Sequence, residues 1–88
     1  MVLSKAEMVL CRGALEALEG VGPSGLSEAA LVHQAALYSE GGILTHIQER
    51  ALMRILVEKG WIACFTDPIT GVKRWWLTDD GRLVLRAL

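Results

Sequence analysis

Between Thr45 and Leu77 the chain reads THIQERALMRILVEKG, then WIACF, TDPITG and VKRWWL. Thr45 followed three residues later by Gln48 is a capping box, so a helix is predicted to begin there. Leu52 and Leu56, with Met53 and Ile55 less centrally, form its inward face. Ile47, Arg50, Arg54 and Glu58 recur at i, i+3, i+7 and i+11 and form a solvent stripe on the opposite side. Gly60 suits the left-handed position that closes a helix. The next residues alternate with period two around Thr66-Asp67-Pro68-Ile69-Thr70-Gly71, which predicts a β-hairpin. A capped helix feeding directly into a two-stranded ribbon is the most constraining feature of the chain.

Upstream, Ser4 and Glu7 form another capping box and start the first helix. Lys5, Arg12, Glu16 and Glu19 gather into one narrow polar sector, with Arg12 and Glu16 an i,i+4 pair. Met8, Leu10, Cys11, Ala14, Leu15, Ala17 and Leu18 form an apolar band wider than one core-facing stripe. Two explanations fit: burial between two other helices, or packing of one edge against a second subunit. Gly20 to Gly25 is a turn by composition. Ser27 then caps a second helix, with Glu28 at the positive end of its dipole. Ser39-Glu40-Gly41-Gly42 breaks the chain before the Ile43-Leu44 link.

In the hairpin, alternation assigns Ile62, Cys64, Trp75 and Leu77 to the core face. Trp61, Phe65 and Trp76 then fall on the outer face beside Arg74. Thr78 caps a short terminal helix that carries Asp79 and Asp80 in its first turn and Arg86 in its last.

Eighty-eight residues are expected to make one domain, residues 1–88, of α+β class and mostly helical. The apolar fraction of 52% is high for so small a core, so some apolar surface is expected to stay exposed or be covered by a partner. No apolar run approaches the roughly 18 residues of a membrane helix. No basic segment followed by an apolar core opens the chain, so a cytoplasmic protein without a signal peptide is expected. Cys11 and Cys64 have no CxxC spacing and are expected to be buried reduced thiols. Net charge is -1, but it divides unevenly. Residues 1–45 carry Lys5 and Arg12 against five glutamates; residues 46–88 carry seven Lys/Arg against five acids.

Leu56-Val57-Glu58-Lys59-Gly60-Trp61-Ile62 is similar to the "LeekGlI" junction between recognition helix and wing in winged helix-turn-helix proteins. Leu77-Thr78-Asp79-Asp80-Gly81-Arg82 resembles the "LTeeGr" entry to the terminal helix of MarR-, PadR- and ArsR-like members. Length and layout also resemble the small winged-helix proteins of Mu-like prophages. The resemblance implies three helices, a two-stranded hairpin wing and a short C-terminal helix. It further implies a bacterial or phage transcription regulator that binds double-stranded DNA as a homodimer. Two positions depart from the pattern. Glu49 stands where such helices place an apolar residue, and the wing tip carries Asp67 instead of a basic residue.

Carried over by position, the resemblance implies His46, Gln48, Arg50 and Arg54 as the candidate DNA-binding residues of a recognition helix set in the major groove. Arginine pairs bidentately with guanine and glutamine with adenine, and Ile47 suits a thymine methyl. Lys73 and Arg74 would contact phosphates. Trp61, Phe65 and Trp76 are assigned to a dimer or partner interface, because interface centres are rich in aromatics and poor in charge. Against these stands a plainer reading, in which the arginines only solvate a helix and the aromatics are roofed by a terminus. His33 and His46 have no ligand spacing with either cysteine, so no metal or cofactor is expected. No nucleophile–base arrangement and no glycine-rich phosphate loop appears, so no enzymatic activity and no small-molecule ligand is assigned. The alternative function is a winged helix used as a protein-interaction or assembly module without DNA binding.

Overall fold

The computed structural model describes residues 3–88. Among these the order is α1 (Lys5–Val21), a 3₁₀ turn (Gly22–Ser24), α2 (Glu28–Ala36), α3 (His46–Glu58), β1 (Ile62–Thr66), β2 (Lys73–Leu77) and α4 (Asp79–Ala87). Over the described residues the architecture is α+β, four α-helices with one two-stranded antiparallel sheet. Among the described residues no helix is long and apolar enough to cross a membrane.

Each α-helix begins on the hydroxyl the sequence marks. Ser4, Ser27, Thr45 and Thr78 all accept a backbone N–H of the first turn, and Ser4/Glu7 and Thr45/Gln48 complete both arms of the capping box. Caps of this kind contribute about 0.5–2 kcal/mol each. Gly60, at φ 72°, closes α3 in the left-handed region. Strands β1 and β2 pair with Ile62 opposite Leu77 and Cys64 opposite Trp75.

The buried cluster draws Cys11, Leu15 and Leu18 from α1, Leu31 and Ala35 from α2, Leu52 and Leu56 from α3, and Ile62 and Leu77 from the hairpin base. Helix α1 packs on α2, α3, β2 and α4. This accounts for an apolar band broader than one stripe: α1 has neighbours on several sides. Met8 and Val9 stay exposed at its margin. Burial and the nearby Glu7 carboxylate push the Cys11 thiol up to about 11, which makes it unreactive at neutral pH. On the α2 side, the Tyr38 ring lies against Gly13, where a side chain would collide with it. The Tyr38 hydroxyl donates to Glu16, whose other oxygen receives Arg12 Nε at 2.9 Å.

One strand contact has no local signature in the sequence. Leu26 exchanges both backbone hydrogen bonds with Trp75 (2.9 and 2.7 Å), so a one-residue third rung flanks β2. It requires Gly25, at φ 69°, because a Cβ there would strike the Trp75 carbonyl.

Two assignments from alternation need correction. Cys64 is exposed, not buried. It shares the face of Ile62, but the Trp75 indole directly opposite it is what packs on the cluster, and the thiol on the outer strand stays exposed. Trp61 does not join Phe65 and Trp76. It sits in the turn between Gly60 and the ladder, where the period of two does not apply, and packs against the core. Phe65 and Trp76 alone form the outer aromatic pair, with ring centroids 4.8 Å apart.

Helix α3, the hairpin and α4 meet at one junction. Trp61 O accepts the N–H of Thr78 at 3.1 Å, while the Thr78 hydroxyl donates to Gly60 O at 2.6 Å and caps α4 by accepting from Gly81 N. Gly81 is buried there, and a Cβ would overlap the Trp61 carbonyl and the Leu77 side chain. In an open helix Gly→Ala adds about 0.5–1 kcal/mol of stability. Here Gly81→Ala is expected to cost about 1–3 kcal/mol instead, as overpacking does. A lower urea midpoint at unchanged slope agrees with that; a raised midpoint refutes the tight junction.

Candidate functional site

Helix α3 turns two unlike sides to its surroundings. Leu52, Met53, Ile55 and Leu56 are buried. Ile47, Arg50, Arg54 and Glu58 are exposed, Ile47 to 81%. Among the described residues neither Arg50 nor Arg54 forms an ion pair, and the Arg54–Glu58 contact allowed by i,i+4 spacing is not made. Both guanidinium groups therefore keep their donors for solvent or a partner.

The other candidates divide. Gln48 is exposed but belongs to the helix cap: its Oε1 accepts the Thr45 N–H at 2.8 Å, and its side chain borders the α1–α3 cleft. His46 Nδ1 lies 3.1 Å from Glu49 Oε1, so the imidazole at the start of α3 is held by a carboxylate. Lys73 is exposed at the start of β2. Arg74 is half-buried, with Nη1 within 3.4 Å of Gly25 O and 3.5 Å of Ser24 O. It ties the hairpin to the turn before α2, a clasp between residues almost fifty positions apart that no local pattern signals.

Beside the arginine stripe, α2 and α3 enclose a cleft of about 270 Å³ lined by Glu28, Val32, His46, Glu49, Arg50 and Met53. Glu49 is half-buried in it, which is how an acid is accommodated at a position that otherwise faces inward. Glu28 and Glu49 place negative charge next to Arg50. Among the described residues no three His, Cys, Asp or Glu side chains converge as metal ligands.

The acid at the hairpin tip has a structural role. The Asp67 carboxylate accepts the N–H groups of Ile69 (2.8 Å) and Thr70 (3.3 Å), and these backbone bonds hold it below the ordinary carboxylate range. Ile69 and Val72 at the tip are exposed.

Comparison with protein-family models, with curated proteins and with solved structures yields no match.

A carboxyl whose folded pKa is depressed adds stability above its unfolded value, and that stability is lost as pH falls through the folded one. Asp67→Ala is therefore expected to be less stable than the parent at neutral pH. The gap should close on acidification as the parent loses the same bonds. Urea denaturation of both proteins from neutral to acid pH measures it. A gap independent of pH contradicts the role given to the ionised carboxylate.

Proposed function

We propose that this chain is a winged helix-turn-helix protein that binds double-stranded DNA through α3, as a homodimeric transcription regulator of bacterial or phage type. The observation that carries the reading is the stripe of Ile47, Arg50 and Arg54, exposed and free of acidic partners on a helix fixed from behind by Leu52 and Leu56. In this reading Arg50 and Arg54 meet base edges in the major groove, with Ile47 against a thymine methyl. Lys73 supplies a phosphate contact from the hairpin, and His46 lies at the helix start, where backbone N–H groups favour an anion. Arg74 and Gln48 are assigned supporting places, since each is engaged within the fold.

A second reading, a winged helix that binds protein and not DNA, is favoured by one feature. Glu28 and Glu49 border Arg50, and their charge opposes a phosphate backbone. The pair of half-buried Phe65 and exposed Trp76 would then be the partner surface.

Fluorescence anisotropy with a random duplex separates the two. For DNA binding, affinity falls steeply with salt, because each neutralised phosphate releases counterions with a log–log slope of about -0.9. Replacing Arg50 and Arg54 together with Ala should nearly abolish binding, whereas Lys73→Ala should weaken it and flatten that slope by about one, with the circular dichroism spectrum unchanged in both. Absence of binding at low salt would reject the DNA reading and leave the protein-interaction module.

A further inference from the structure

Where the end of α1 and the 3₁₀ turn meet the hairpin base and the start of α4, a cleft of about 340 Å³ opens to solvent. Leu18, Gly22, Pro23, Trp76, Leu77 and Arg82 line it. Leu18 and Leu77 belong to the buried core and give the cleft an apolar floor. Pro23 and the Trp76 indole add apolar wall, and Trp76 is braced by its contact with Phe65.

The polar groups are few. The Gly22 N–H is spent on Leu18 O, and Pro23 has no N–H to give. Two side-chain donors remain, the Trp76 indole N–H and the Arg82 guanidinium. Arg82 uses only Nη1, which meets Asp79 Oδ1 at 3.2 Å, and its other donors make no bond among the described residues. The Asp79 side chain is 99% exposed and lies outside the cleft. No acid lines the cleft itself. The cleft between α2 and α3 differs, since Glu28 and Glu49 stand beside Arg50 there, and so does the groove between α1 and α3, which holds Glu7 and no cation.

An apolar hollow with one cation, donors and no acidic wall selects a ligand that is apolar over most of its surface and carries one negative group. We infer that this cleft binds a small aromatic carboxylate, with its ring against Trp76 and Pro23 and its carboxylate on Arg82. Burial and offset stacking on the indole favour a flat ring. The planar guanidinium matches a carboxylate through charge-assisted hydrogen bonds. An inorganic anion would leave the apolar walls uncovered, and an organic cation would be repelled by Arg82. Asp79 competes weakly, because an ion pair this exposed is worth little. None of the lining residues is on α3, so the site is independent of the DNA reading.

Titration with sodium benzoate, followed by proton–nitrogen NMR, tests the assignment. Saturable shifts are expected at the Trp76 indole N–H and at the amides of Gly22, Leu77 and Arg82. Benzyl alcohol, the same ring without the charge, should bind about tenfold or more weakly. Arg82→Gln should lower benzoate affinity to that of benzyl alcohol, with the circular dichroism spectrum unchanged because the fold loses only a surface ion pair. Equal binding of the two probes to the parent, shifts centred elsewhere, or no saturation at millimolar benzoate overturns the inference. A folded Arg82→Gln that keeps the preference for benzoate does the same. The comparison of the two probes on the parent decides the matter even if Arg82→Gln fails to fold.

Discussion

The structure turns on the junction at Gly60, Trp61 and Thr78. One threonine hydroxyl donates to the end of α3 and accepts from the start of α4, while the Trp61 carbonyl receives the Thr78 amide between them. Helix α3 is joined to the link from α2 at its start and to the hairpin at its end. Because α4 begins where the hairpin ends, fixing this point fixes the angle between all three. Gly81 is the geometric consequence: the backbone of α4 approaches the Trp61 carbonyl too closely for any side chain. The exposed stripe of α3 therefore projects from a framework held at both ends, by the Thr45 cap and by this junction.

Local chemistry was readable in the chain and distant chemistry was not. Ser4, Ser27, Thr45 and Thr78 act within four residues of themselves, so their caps could be located from spacing alone. The division of α3 into Leu52/Leu56 and Arg50/Arg54 sides follows from helical period in the same way. Failures began where a period stopped applying. Trp61 lies one residue outside the ladder, and Cys64 lies on the core face but opposite Trp75, whose indole takes the contact with the cluster. The Leu26–Trp75 bridge, the Arg74 clasp and the Tyr38–Glu16 bond join residues 22 to 50 positions apart and leave no local trace. One of these concerns the candidate site directly: Arg74 looks free as a residue type, yet the fold engages it.

Electrostatics set the balance between the proposed functions. Arg50 and Arg54 are exposed without acidic partners, but Glu28 and Glu49 line the cleft beside Arg50, and the whole chain is near neutral. Attraction to a phosphate backbone would thus come from a few cations on α3 and Lys73, with opposing charge within a helical turn. Such a surface would bind a phosphate backbone only through those few cations, and salt would screen that attraction readily.

Residue-resolved NMR titration with duplex DNA at two salt concentrations is the most direct test. The account predicts shift changes centred on Ile47, Arg50 and Arg54 and on Lys73, larger at low salt, with the α1–α4 side silent. Changes absent at low salt, or confined to Phe65 and Trp76, would contradict the assignment of α3 as the DNA-reading element.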